Sequence, residues 1–264
     1  MMESLDFHRA RALLEWQIEL GADECISDAP VDCYALPVKQ PKPERPASEQ
    51  PPAKPHLTRG PVALAQGDPV AAARQAAAAA DTLEALRKAI EDFDLCAFKR
   101  GARNMVFADG IPGAPVMIVG EVPSREEDRT GTPFTGPAGD LLDRMFAAID
   151  MGRTHQSAPL YLVNTLPWRL PNARDPRPED IAMMAPFLER HIALANPKVL
   201  VLMGNSACEA LLGARGIARL RGQWTRAVDK PALPMLHPNA LMRDRAAKRE
   251  AWADLLMLKT AVDK

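Results

Sequence analysis

The sequence predicts an α/β fold, a three-layer α/β/α domain with a mostly parallel four-stranded central sheet. The first observation is that four short apolar runs have the composition of strands buried on both faces. The second is that helical segments separate most of these runs. Strands that alternate with helices are typical of an open sheet that carries helices on both faces.

The four apolar runs define the predicted sheet. We expect strands at 116–120 ("VMIVG"), 160–164 ("LYLVN"), 199–204 ("VLVLMG") and 233–237 ("LPMLH"). Helical periodicity predicts the intervening and following helices, at 137–150, 178–194, 205–212 and 244–260.

Composition divides the chain ahead of this sheet. Residues 4–20 place leucines at helical spacing before Gly21, which predicts an N-terminal helical segment within 1–36. Eight prolines fall between Pro37 and Pro61, and they predict an extended, flexible linker over 37–68.

The main domain follows the linker. Asp68 has the character of a helix cap and Pro69 that of a first helical residue, ahead of an alanine-rich run that continues to about Asp92. The domain is therefore expected over 69–264, with its core at about 95–260.

Charge and cysteine content narrow the class of protein. The 264 residues carry a formal net charge of -1, which neither requires nor excludes a polyanionic partner. Four scattered cysteines suit a reducing compartment better than a disulfide framework. No apolar run reaches membrane-spanning length, and the N-terminus has no signal-peptide pattern. The expected protein is a cytoplasmic monomer without a membrane partner.

Polar side chains stand at the carboxyl ends of the predicted strands. Glu121 follows the first strand, Asn164 ends the second, Gly204 ends the third and His237 ends the fourth. Ligands of open α/β sheets bind in the crevice outside these strand ends. We therefore expect a carboxylate, an amide and an imidazole to face one cleft.

The loop between Gly120 and Gly139 adds an aromatic group to this set. Six of its twenty residues are charged, with glycine and proline spread between them, and its lone phenylalanine, Phe134, is suited to stack on a flat base. The amide of Asn164 can pair with the polar edge of a pyrimidine, and His237 can donate to an oxygen that gains charge. Together these groups indicate a site that cleaves a flipped-out base from its sugar.

These segments resemble the family 4 uracil-DNA glycosylases. The family's first motif reads Gly-Glu-Ala-Pro-Gly, then Glu-Asp, then Gly-x-Pro-Phe-x-Gly-x-Ala-Gly, and the corresponding residues here are "GEVPS", "ED" and "GTPFTGPAG". The resemblance continues, in order, through "VFADG", "VNTLPWRLPNARDP", "PFLERHIALANPKVLVLMG" and "LHPNALMR". It implies an enzyme of base excision repair that hydrolyses the bond between uracil and deoxyribose in DNA.

The resemblance also implies roles at the base. Glu121 and His237 are the catalytic candidates, one near the sugar and the attacking water, the other donating to the departing uracil. Phe134 is expected to stack on the uracil and Asn164 to read its polar edge, with Gly120 also in the uracil-binding set.

DNA contacts are expected beyond the base. Leu241 would be the wedge that enters the base stack, with Pro238 and Arg243 beside it in "HPNALMR". Nine Lys or Arg against two Asp or Glu lie between Ala214 and Arg249, and they predict a basic rim for phosphates.

One cofactor of the family is expected to be lost. Its members hold a [4Fe–4S] cluster with four cysteines, whose positions here are Cys96, Lys99, Trp168 and Met184. Only Cys96 keeps a thiol, and a lone thiolate cannot carry four irons. The size of Trp168 and Met184 suggests that packing replaces the cluster.

The sequence departs from the family pattern at several positions and is compatible with other functions. Val122 and Ser124 are larger than the family's residues, and "PNA" alters the loop after Leu170. Because of these changes, the protein could also be a catalytically weakened relative that binds DNA.

The triplet "EED" at 126–128 predicts a solvated turn or helix start, or else the metal site of a phosphate-ester hydrolase. Phe134, Asn164 and His237 have purely structural alternatives, and Glu121 has the alternative of capping a helix.

Overall fold

The computed structural model describes residues 68–262. The predicted helical segment within 1–36 and all but the last residue of the predicted linker lie outside the described residues. Within 68–262 no helix is both long and apolar enough to cross a bilayer.

The protein has an α/β fold built on a six-stranded, mostly parallel sheet. The strands are β1 (Asp109–Gly110), β2 (Val116–Gly120), β3 (Leu160–Asn164), β4 (Val199–Met203), β5 (Thr225–Ala227) and β6 (Lys230–Met235). Their spatial order is β1-β3-β2-β4-β6-β5.

The predicted count of four strands holds only for the centre of this sheet. The strands β3, β2, β4 and β6 are parallel, whereas β1 and β5 pair antiparallel at the two edges. The edge strands are two and three residues long, too short to give a readable alternation in the sequence.

Helices cover both faces of the sheet. Nine are described: α1 (Pro69–Ala78), α2 (Leu83–Asp92), α3 (Arg125–Thr130), α4 (Pro137–Ala147), α5 (Pro178–Ala195), α6 (Asn205–Leu212), α7 (Ile217–Leu220), α8 (Pro238–Arg243) and α9 (Lys248–Val262). Two short 3₁₀ segments span Ala97–Gly101 and Pro171–Ala173. The predicted run to Asp92 is two helices rather than one, because Thr82 caps a new helix with its hydroxyl.

Alternate residues of the buried strands face opposite layers. In β2, Val116 and Ile118 pack with side chains of α4 and α9. Met117 and Val119 pack with side chains of α5 and α6 on the other face. Burial of both faces explains why these strands are continuously apolar.

Strand β6 begins and ends earlier than predicted. It spans Lys230–Met235, and His237 is the N-cap of α8 rather than the end of the strand. Pro238 sits in the first turn of α8, where a missing backbone N–H costs nothing. His237 still lies beyond the carboxyl end of a parallel strand, together with Asn164 and Glu121.

Candidate active site

The Phe134 ring lies almost parallel to the His237 imidazole. Their centroids are 5.5 Å apart and their planes differ by 20°. Only 3% of Phe134 is exposed. A Cβ at Gly120 would lie 2.6 Å from the ring and 2.6 Å from Oδ1 of Asn164. Gly120 thus has to lack a side chain for these two groups to approach β2.

Asn164 is buried at the end of β3. Its Nδ2 donates to Oε1 of Glu127 over 3.1 Å. The amide retains a second N–H and its oxygen for another partner. Phe134 thus lies close both to Asn164, which shares Glu127 with its N–H, and to His237, which stacks on its ring.

Glu127 binds both Phe134 and Asn164, a role that the sequence did not indicate. The "EED" triplet does start a helix, and Glu127 forms a capping box with Ser124. Yet Glu127 and Asp128 are buried, so the expectation of a solvated turn is wrong for both. Glu127 Oε1 accepts the Phe134 N–H over 2.6 Å, and Asp128 Oδ1 accepts the Arg103 N–H over 2.7 Å.

Arg153 is a second residue that sequence analysis missed. Its guanidinium donates to the carbonyls of Phe134 over 2.6 Å and Pro133 over 3.0 Å. It also pairs with the carboxylates of Asp109 and Asp143. The arginine thereby ties the Phe134 loop to β1 and α4.

His237 is poised as a neutral hydrogen-bond donor. Its Nδ1 accepts the Asn239 N–H over 3.2 Å, so the proton of the neutral ring is on Nε2. Burial lowers the pKa of His237 to about 4. At neutral pH the ring therefore carries no charge and offers one N–H.

Glu121 faces the N-terminus of α6. Its Oε1 accepts the Asn205 N–H over 3.0 Å, so the carboxylate does cap a helix. Burial raises the pKa of Glu121, and the N–H groups of Ser206 and Asn205 oppose that rise. Gly204 leaves room for the carboxylate, since a Cβ there would lie 2.4 Å from it.

A cleft of about 330 Å³ opens beside Glu121. Asn239 of α8 and Val122 line it, together with Arg125, Arg169 and Arg174. Arg174 also pairs with Asp180 over 2.7 Å. The cleft thus combines the carboxylates of Glu121 and Asp175 with three arginines, and this basic wall suits a polyanion that must bring one sugar close to Glu121.

Helix α8 presents two different faces. Pro238 and Leu241 are buried, and Leu241 is only 1% exposed. Met242 is 47% exposed, and Arg243 is exposed beside it. In this structure Leu241 therefore offers no apolar surface to a DNA stack, contrary to what the sequence analysis expected of it.

The predicted basic rim is divided between the two ends of the sheet. Arg226 of β5 is opposite Pro231, near the start of β6, and Lys230 is the first residue of β6. His237 follows the other end of that strand, so Arg226 and Lys230 do not belong to the site. Arg221 is engaged with Asp254 over 3.0 Å.

The residues at the cluster positions do not fit an iron–sulfur cluster. Cys96, Trp168 and Met184 are buried in one apolar group. Lys99 lies 5.7 Å above the Trp168 ring and pairs with Asp94. Burial raises the pKa of Cys96 to about 11. Within residues 68–262 no three His, Cys, Asp or Glu side chains form a metal-binding group.

The altered loop after Leu170 has its own geometry. Asn172 adopts a left-handed conformation, with φ of 56°. Asparagine tolerates this region better than other residues that carry a Cβ. The loop thus keeps a sharp turn without a glycine.

The chain is similar to a family of known proteins. The family model described as "Uracil DNA glycosylase superfamily" matches residues 107–256. The type-4 uracil-DNA glycosylase of Sulfurisphaera tokodaii is 30% identical over 171 residues, which cover 61% of this chain and 76% of that protein. The type-4 uracil-DNA glycosylase of Thermotoga maritima is 29% identical, and the match covers 70% of this chain and 96% of that protein. That of Archaeoglobus fulgidus is 30% identical, and the match covers 66% of this chain and 90% of that protein.

Proposed function

Because the chain belongs to the uracil DNA glycosylase superfamily, we propose that it is a monofunctional glycosylase that removes flipped-out uracil from DNA. The observation that carries this proposal is the grouping of Phe134, Asn164 and His237 outside the carboxyl ends of β2, β3 and β6. An aromatic ring, an amide and a neutral imidazole donor are the groups that a pyrimidine leaving as an anion requires.

Each of these groups has one task in the reaction. Phe134 stacks on the base, and Asn164 pairs with its polar edge through the N–H and oxygen that Glu127 leaves available. When the bond from the base nitrogen to C1′ breaks, its electron pair leaves with the uracil. The Nε2–H of His237 then stabilises the charge that develops on a uracil oxygen.

Glu121 acts on the sugar side of the bond. Its carboxylate lines the cleft, where it stabilises the positive charge that builds up on the sugar and orients the attacking water. The water oxygen bonds to C1′, and its proton is lost to solvent or to the departing base. A carboxylate held by a helix N-terminus is fixed in place, which favours this role.

DNA is proposed to lie along the basic wall of the cleft. Arg125 and Arg169 would contact phosphates beside the extruded nucleotide. The exposed face of α8, with Asn239, Met242 and Arg243, continues this surface.

A DNA-binding relative without catalysis is the second candidate. The observation that favours it is Val122, which lines the cleft and also packs against the apolar group of Cys96 and Trp168. A bulkier wall at this point can narrow the space for the sugar or the water. Metal-dependent hydrolysis is less well supported, because Glu127 and Asp128 both bind backbone N–H groups.

One assay separates the three possibilities. The protein is incubated with a uracil-containing oligonucleotide, with and without a chelator, and abasic sites are then cleaved with alkali. We expect cleavage at the uracil position and none in a thymine-containing control. DNA binding without abasic product would support the non-catalytic relative, and strand cleavage that the chelator abolishes would support the hydrolase.

A further inference from the structure

The backbone of Phe134 is held from both sides in an unfavourable conformation. Its φ is 52°, in the left-handed region that a bulky aromatic residue rarely adopts. Its N–H donates to Glu127, and its carbonyl accepts from Arg153, each over 2.6 Å. Strained residues of this kind persist only where surrounding groups over-determine them.

Arg153 fixes the carbonyl of Phe134 and is itself largely buried. Its side chain is 14% exposed. Nε donates to Asp143 over 2.8 Å, and Nη1 donates to Asp109 over 2.6 Å. These two carboxylates fix the plane of the guanidinium, so that Nη2 is aimed at the Phe134 carbonyl. A lysine has one ammonium group and cannot reach all of these acceptors.

Glu127 supplies the other side and connects it to the base reader. Oε1 accepts from both Phe134 N–H and Asn164 Nδ2, while Oε2 accepts the Ser124 N–H over 2.6 Å. A glutamine has one oxygen, and its NH₂ would face one of these donors. A single carboxylate thus sets the direction of the stacking ring and of the amide together.

The packing around the loop is adapted to this hold. A Cβ at Gly139 would lie 1.7 Å from the Phe134 carbonyl oxygen and 3.3 Å from the Arg153 guanidinium. Gly139 is therefore required for the carbonyl to meet Arg153. With its backbone held in this way, the Phe134 ring lies nearly parallel to the His237 imidazole.

We propose that Glu127 and Arg153 are paired positioning residues that clamp Phe134 as a base-stacking platform. This inference rests on the proposed function of Phe134 and Asn164 at the uracil. The clamp acts on catalysis through the orientation of the ring and amide, without contact with the reacting atoms.

The test compares Arg153→Lys and Glu127→Gln with a matched control. Arg190→Lys is suitable, because Arg190 also binds a backbone carbonyl and an aspartate, those of Ala80 and Asp81, outside the site. The first readout is single-turnover uracil release at saturating enzyme. We expect the two clamp variants to lose between about tenfold and a hundredfold in rate, with DNA affinity unchanged, and the control to keep its rate.

The second readout does not depend on activity. The ring current of Phe134 acts on the imidazole protons of His237, which NMR assigns by their loss in His237→Gln. We expect these resonances to move in both clamp variants toward their positions in Phe134→Leu. Asp143→Asn is a milder variant, since Asp143 is 48% exposed, and it should give a smaller shift in the same direction without a loss of folding.

Failure of the clamp and failure of the proposed function give different results. Unchanged His237 resonances in Arg153→Lys and Asp143→Asn, or a loss of rate equal to that of Arg190→Lys, would overturn the clamp. If the wild-type protein releases no uracil but the clamp variants show the expected shifts, the glycosylase proposal is overturned and the clamp stands.

Discussion

Asn164 and Phe134 share one acceptor, the Oε1 atom of Glu127, although 30 residues of sequence separate them. The distances are 3.1 Å from the Asn164 amide nitrogen and 2.6 Å from the Phe134 backbone nitrogen. A change at either group therefore alters the hydrogen bonding of the other. Predictions about single residues of this site have to take that coupling into account.

Asn164→Ala should abolish most of the uracil-release rate while the protein stays folded. The substitution leaves a polar edge of the bound base unmatched, at a cost of roughly 1–3 kcal/mol. Single-turnover kinetics and thermal melting measure the two effects. Asn104→Ala is the matched control, because its amide binds two backbone carbonyls, those of Asp128 and Arg129, rather than Glu127. A near-normal rate in Asn164→Ala would exclude Asn164 as the base reader.

The rate should show no inflection near pH 6.5 from His237. Burial lowers the pKa of its imidazole from 6.5 to about 4, so the Nε2–H donor is unchanged between pH 8 and 5. As the pH falls, the unfolded chain binds a proton on His237 near pH 6.5, whereas the folded chain does so only near pH 4. The contribution of His237 to the free energy of unfolding is therefore complete above pH 6.5 and declines as the pH falls toward 4. His237→Ala should slow release about 10²–10³-fold. An inflection at 6.5 that disappears in His237→Ala would contradict a neutral ring at this position.

Leu241 and Met242 should respond in different ways to truncation. Leu241 is buried, so Leu241→Ala should lower the free energy of unfolding by about 2–5 kcal/mol. Met242 is exposed on α8, so Met242→Ala should leave stability unchanged and weaken release from U·A pairs more than from U·G mismatches, which open more easily. Denaturant titration and the two substrates distinguish these outcomes. Equal loss on both substrates in Met242→Ala would argue against contact with the base stack.

Arg125→Gln and Arg169→Gln should each weaken DNA binding and reduce its dependence on salt. A lost phosphate contact lowers the slope of log K against log salt by about one. Binding titrations at several salt concentrations provide the slope. Arg226→Gln is the control, because Arg226 lies near the opposite end of the sheet. Equal slopes in all three variants would place the DNA elsewhere.

Purified protein should be colourless and carry no stoichiometric iron. Cys96 is packed with Trp168 and Met184, and Lys99 covers the indole. These four positions therefore lack the cysteine thiolates that a cluster needs. Cys96→Ala should therefore keep the activity of the wild type. Anaerobic purification followed by iron analysis and visible absorbance checks this. About four irons per chain would show that other ligands exist.

The buried parts of the fold were predictable from sequence, and the connections between them were less so. The strands 116–120 and 160–164 have the predicted bounds, because their apolar runs are buried on both faces. The short edge strands carry too few residues to leave a pattern. Phe134 and Asn164 were chosen as candidates by residue type and by their positions after strands, and their roles stay a prediction.

Glu127 and Arg153 were missed for a different reason. Their partners lie 7 and 19 residues away in sequence, and in a loop rich in charges nothing distinguishes a buried carboxylate from a solvated one. The signal that was available is the pairing of Ser124 with Glu127, a capping-box spacing. That spacing predicts a fixed glutamate, although not the partners of its second oxygen.

The apolar packing of Cys96, Trp168 and Met184 has a consequence for how the protein is made. If this packing takes the place of a cluster, folding requires no delivery of iron or sulfide and no assembly scaffold. Superoxide and peroxide then have no cluster to destroy. Folded protein would accumulate in proportion to its translation, in iron-starved or oxidatively stressed cells as much as in any other.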